Sequence, residues 1–143
     1  MLNARGYSLA ETMVVLLVVS VLATLAYPGF GRVLARVRRT DAITRLLELQ
    51  QAQERWRGNH AAYGSLDELG LPALTPDGAY RLSITSPGST GYTATAEATG
   101  VQSGDTSCRV MQLTLEAGHT LMASGPDATV ANSTAANRKC WGR

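Results

Sequence analysis

Residues 7–30 read YSLAETMVVLLVVSVLATLAYPGF, and ahead of them stands the short basic stub MLNARG of residues 1–6. Between Leu9 and Phe30 the only charged residue is Glu11. As a helix that run spans about 33 Å at 1.5 Å per residue, which matches a bilayer core. An unpaired carboxylate costs roughly 2.5 kcal/mol or more at mid-bilayer and less near the interface, so a long apolar helix rarely carries one without a partner or a task. Cutting after Gly6 would create a charged amine on Tyr7, one helical turn from Glu11, and so supply the partner. At Pro28 the helix loses a backbone hydrogen bond and meets a steric clash, with Gly29 and Gly31 weakening the same stretch, so a bend or local melt is expected there.

Two plainer readings compete. Arg5, the apolar stretch Met13 to Leu22 and the small-residue exit Thr24-Leu25-Ala26 before Tyr27 together describe a secretory signal, although a discarded peptide has no use for Glu11. A permanent membrane anchor fits the length equally well.

The 143-residue chain carries 45% hydrophobic residues, of which the N-terminal run takes a good share. What remains makes a globular portion of roughly ninety residues, marginal on its core alone. Both cysteines, Cys108 and Cys140, fall in it. An even count in an exported domain reads as one disulfide, with two free buried thiols as the alternative. Net charge is +2, unevenly placed. Arg32, Arg36, Arg38, Arg39 and Arg45 crowd the stretch after the apolar run with only Asp41 against them, whereas from Gln50 onward there are seven basic and eight acidic residues. That balance does not indicate a globally basic nucleic-acid-binding domain. The arginines read either as a flank at the lipid headgroups or as charges paired across subunits in a packed assembly.

From Gly31 to Arg57 the apolar residues Ala42, Leu46, Leu49, Ala52 and Trp56 recur every three or four positions, which predicts an amphipathic helix laid on a sheet. Residues 58–78 are broken by Gly58, Gly64, Gly70, Pro72 and Pro76-Asp77-Gly78, and predict a packed loop. Period-two segments follow: Tyr80, Leu82 and Ile84; the threonines of Tyr92 to Thr99; and Val110 to Leu115 joined to Thr120 to Ala123 through Glu116-Ala117-Gly118-His119. Four antiparallel strands are the economical reading. The tail from Gly125 to Asn137, small and polar, is expected to be poorly ordered apart from the closure by cysteine.

GYSLAE followed by TMVVLLVVSVLATLAYPGF resembles the N-terminus of type IV pilins. GYTATAEATGVQSGDTSCRVMQLTLEAGHTLMASG with the terminal Cys140-Trp141 is similar to PilE-like minor pilins of the type IVa group. The resemblance implies an α+β pilin fold: a long N-terminal helix on a four-stranded antiparallel sheet with a disulfide-bounded C-terminal loop. It divides the chain into a leader 1–6, a hydrophobic membrane and filament-core helix 7–30, an amphipathic helix 31–57 and a globular head 58–143. It further implies cleavage between Gly6 and Tyr7 by prepilin peptidase, methylation of the new amine, subunit docking through Glu11, and other pilin subunits and inner-membrane assembly machinery as partners. The protein would sit in the bacterial inner membrane and then in an extracellular pilus serving adhesion, twitching motility or DNA uptake. Pilins carry a proline where Pro28 stands, while Ser20 replaces a glycine found in many members.

As an enzyme the chain has little to offer. His60 and His119 lack a neighbouring nucleophile or metal-ligand spacing, there is no glycine-rich phosphate loop, and no cofactor is called for. A DNA-binding competence pilin is the other contrast: Arg138, Lys139 and Arg143 beside Trp141 combine phosphate-gripping charge with a ring for stacking on a base. Their plainer readings are a solvated chain end and a tryptophan packed on the disulfide. Asn132-Ser133-Thr134 matches a glycosylation sequon.

Overall fold

The computed structural model describes residues 8–85 and 87–142, the side chains of 26–28 excepted. Helix α1 runs Leu9–Arg57. Ser8 starts it, its hydroxyl accepting from the Glu11 N–H at 3.3 Å. Ser8 and Glu11 therefore hold the two ends of the S-x-x-E capping order, and the helix dipole favours a carboxylate in this first turn. The chain divides between Leu34 and Ala35 into two units. In the first, the helix surface is apolar and open, with Leu9, Leu16, Leu25 and Phe30 all exposed. Among the described residues no single helix is long and apolar enough to cross a membrane; Leu9–Leu25 and Gly29–Arg57 meet the length and composition only as a pair. The bend predicted at Pro28 falls on side chains outside the described residues.

The second unit holds the packed core. Its strands are β1 (Tyr80–Thr85), β2 (Gly91–Ala98), β3 (Val110–Glu116) and β4 (His119–Gly125). They form an antiparallel sheet in the order β1-β2-β3-β4, each strand beside its sequence neighbour. Tyr80 pairs with Ala98, Tyr92 with Leu115 and Leu113 with Met122. One face of this register carries Tyr80, Leu82, Tyr92, Ala94, Ala96, Met111, Leu113 and Leu115 into the core, against Ala42, Leu46 and Leu49 of α1. The small side chains of Ala94 and Ala96 leave room there for the helix. Period-two burial in the strands and the three-to-four spacing on α1 are thus two halves of one apolar interface.

Side chains lock the loop after α1. Gln53, fully buried, donates from Nε2 to the Gly64 carbonyl at 2.7 Å and accepts the Gly64 N–H at 2.9 Å. His60 stacks on Trp56 with ring centroids 3.7 Å apart, and its Nδ1–H donates to the Trp56 carbonyl at 2.9 Å. His60 is therefore a loop-packing residue, and His119 is the exposed first residue of β4.

With Cys140 bonded to Cys108, the tail is ordered over its second half. Ala131 bridges Ser124 at the end of β4, and residues Thr134–Cys140 form helix α2. Seven residues are too few for a helix to persist alone. The surroundings supply the stability: Ser133 caps the first turn by accepting from the Ala136 N–H at 3.2 Å, Cys140 is joined to Cys108, and Trp141 is buried.

Candidate nucleic-acid interface

Arg36, Arg39, Thr40 and Ile43 follow i, i+3, i+4, i+7 spacing and so share one face of α1. Helix α2 ends beside that face. Together they line an open groove of about 480 Å³, closed at the other side by Arg138, Lys139, Cys140, Trp141 and Gly142. Four of its lining residues are cations and none is a carboxylate. The two basic clusters, more than ninety positions apart in sequence, are therefore one surface.

Several contacts seat α2. The disulfide joins its last residue to Cys108, at the end of the 3₁₀ turn Thr106–Cys108. Trp141, 6% exposed, sends its ring into the core and donates from Nε1 to the Ala123 carbonyl at 3.3 Å. Lys139 Nζ lies 2.6 Å from Ser107 Oγ, and Arg39 Nη1 donates to the Lys139 carbonyl at 3.1 Å. Basic residues in the last turn of α2 also complement the helix dipole, a purely structural benefit of Arg138 and Lys139.

Charge compensation differs among the arginines. Arg39 forms a two-pronged ion pair with Asp105, 2.5 Å from Nε to Oδ2 and 3.0 Å from Nη2 to Oδ1. Arg38 meets Asp77 at 3.5 Å and Arg45 meets Glu48 at 2.6 Å. Three members of this cluster, Arg38, Arg39 and Arg45, are balanced within their own chain. Burial pushes the Asp77 carboxyl up, but hydrogen bonds from the Ala79 N–H and the Thr75 hydroxyl outweigh it and hold the group below its usual range. The Tyr80 hydroxyl is pushed up by burial, with the bond from Gln102 opposing. Among the described residues Arg36, Arg138 and Lys139 have no carboxylate partner, and all three are exposed.

The residues singled out in the sequence fare differently. Arg138 and Lys139 stand on the groove. Trp141 takes the plainer of its two readings: it is 6% exposed and its ring belongs to the core that also holds the disulfide. Arg143, Gly6 and Tyr7 lie outside the described residues. Glu11 is exposed in the first turn of α1, and Cys108 and Cys140 are bonded. Among the described residues no group of histidine, cysteine, aspartate and glutamate is arranged to hold a metal. Arg36 and Arg39 are the groove residues that sequence reasoning assigned elsewhere; their shared helical face was legible, but the partner surface was not.

Comparison with known proteins now adds a family. No curated protein matches the chain. The prokaryotic N-terminal methylation motif matches residues 1–27, and the family described as type IV minor pilin ComP, DNA uptake sequence receptor, matches residues 28–112. The second match covers more than half of the chain and names a competence pilin in place of the PilE-like kind. Helix, four-stranded sheet and disulfide are the α+β pilin fold expected of a structural, non-enzymatic subunit. The chain belongs to the type IV minor pilin ComP, DNA uptake sequence receptor, family.

Proposed function

We propose that this minor pilin is the DNA-binding subunit of a type IV pilus, and that Arg36, Arg138 and Lys139 hold backbone phosphates in the groove between α1 and α2. The observation that carries the reading is a groove lined by four cations and no carboxylate, on a chain of a family described as a DNA uptake sequence receptor. That description favours DNA uptake over a purely filament-building role. Such contacts position DNA in the groove without reading its sequence. Each phosphate neutralised releases counterions, so the logarithm of the affinity falls with the logarithm of salt by roughly 0.9 per contact on duplex DNA.

Delivery to that role follows the pilin route. The leader is removed between Gly6 and Tyr7 by prepilin peptidase, the new amine is methylated, and the exposed apolar surface of α1 is held first in the inner membrane and then among pilin subunits of an extracellular fibre. The assembly machinery supplies the work of export.

The test is fluorescence anisotropy of a labelled DNA duplex titrated with full-length protein in zwitterionic detergent, over a range of salt. Replacing Arg36, Arg138 and Lys139 by alanine should lower the magnitude of the salt slope by about 2.7, at roughly 0.9 for each lost contact, and weaken binding to any sequence alike. An unchanged slope in the triple variant would remove the groove as the interface.

A further inference from the structure

Arg39 lines the same groove as the three free cations, yet its charge is already spent. Its side chain is 17% exposed and that of Asp105 10%. Two of its N–H groups go to the Asp105 carboxylate and a third to the Lys139 carbonyl at 3.1 Å. Asp105 in turn accepts from Gln102 Nε2 at 3.1 Å, and the same amide nitrogen lies 3.2 Å from the Tyr80 hydroxyl. Tyr80 donates onward to the Cys108 carbonyl at 3.1 Å. The network therefore starts on α1, passes through the turn that carries Asp105 and reaches both sides of the disulfide.

We infer that the Arg39–Asp105 pair is a strut that orients the basic end of α2, and that Asp105 is a positioning residue for DNA binding; this rests on the reading that the groove binds DNA. At its C-terminal end α2 is held by the disulfide, by the buried Trp141 and by the contact of Lys139 Nζ with Ser107 Oγ. A further tether, from Arg39 to the Lys139 carbonyl at 3.1 Å, draws this end toward α1 and sets the direction in which Arg138 and Lys139 point. A planar guanidinium suits the task, because its fork grips the carboxylate with two N–H groups and has others left for the helix end.

The inference makes a prediction opposite in sign to simple electrostatics. Asp105→Asn deletes a negative charge beside a cationic groove, which by charge alone should tighten DNA binding. The strut requires weakening. Asparagine keeps the shape but presents one acceptor oxygen where two took bonds from Arg39 and Gln102, so Arg39 loses its anchor and α2 its tether to α1.

The experiment uses full-length protein in zwitterionic detergent and a fluorescein-labelled DNA duplex, with Asp105→Asn, Arg39→Gln and the double variant measured across salt. Each single variant is expected to bind roughly three- to tenfold more weakly, the range for losing one member of a network that acts through its neighbours. The salt slope should stay as in the parent, and the double variant should bind no worse than either single one. Amide hydrogen exchange over residues 134–141 should quicken in Asp105→Asn while the disulfide stays intact. Tighter binding by Asp105→Asn, or a slope lowered by about 0.9 in Arg39→Gln, would make Arg39 a phosphate ligand and overturn the strut. Should Asp105→Asn fail to fold, Arg39→Gln and its slope carry the decision. If the parent protein binds no duplex the DNA reading falls, and the exchange of residues 134–141 still decides whether the strut exists.

Discussion

At the β2–β3 end of the sheet Gly91 pairs with Glu116, the residue before Ala117, and Gly91 and Ala117 have opposite backbone demands. A Cβ on Gly91 would stand 2.0 Å from the Leu115 carbonyl oxygen, so a side chain there forces the two strands apart. Ala117 occupies the first position of the two-residue connection between Glu116 and His119, at φ 47°, with Gly118 at φ 83°. Both are left-handed values, required for a tight hairpin and unfavourable for alanine. Ala117→Gly should therefore stabilise the protein by roughly 0.5–1 kcal/mol, and Gly91→Ala should destabilise it by about 2 kcal/mol or more. Denaturant unfolding of the two variants checks this; a neutral Gly91→Ala would mean that the strands yield without cost. The hairpin was legible in Glu116-Ala117-Gly118-His119, because turn chemistry is local. The steric role of Gly91 was not, because a glycine opening a strand looks the same whether or not a carbonyl passes close by.

Helix α2 shows what the disulfide does at the scale of an element. Sequence reasoning expected a tail that the cysteines merely close over, since its small and polar residues cannot bury a face of their own. Closure changes that outcome: with Cys140 and Trp141 held at one end and Ser133 capping the other, the seven residues Thr134–Cys140 become helical. Cys140→Ser should lower unfolding stability by roughly 3–4 kcal/mol in the chain-entropy model, for a bond separated by 32 residues. The same variant should weaken DNA binding under conditions where the sheet is still folded, as judged by circular dichroism. A loss below about 0.5 kcal/mol would be no more than an ordinary surface substitution and would deny the bond its structural role.

At the scale of the whole molecule, the first unit leaves its apolar side chains open while the second buries most of its own, so the protein needs an apolar environment that it does not itself provide. Lipid and neighbouring helices both supply one. Burial between subunits at roughly 25 cal/mol per Å² makes the fibre a favourable destination once the helix leaves the membrane. On the proposed pilus role, Glu11 is the residue expected to distinguish the two environments. Glu11→Ala should keep or strengthen membrane retention and lower incorporation into sheared filaments several-fold, with cleavage after Gly6 continuing. Immunoblots of membranes and filaments measure the partition; equal recovery of variant and parent along the shaft would leave Glu11 as a helix-capping residue beside Ser8 and nothing more.

By itself the sequence determined the long helix, the four strands, the turn between the last two and the cysteine pair, because hydrophobic period, turn residues and cysteine count act over short stretches of chain. Membership of the pilin family was legible in Gly6 to Phe30 for the same reason. Tertiary structure alone decided that Arg36 and Arg39 would stand beside Arg138 and Lys139, that Asp105 would take Arg39 out of use as a free cation, and that Trp141 would be core. Those outcomes depend on where a sheet and a disulfide bring distant segments, and Coulomb energy and burial are set by distance in space.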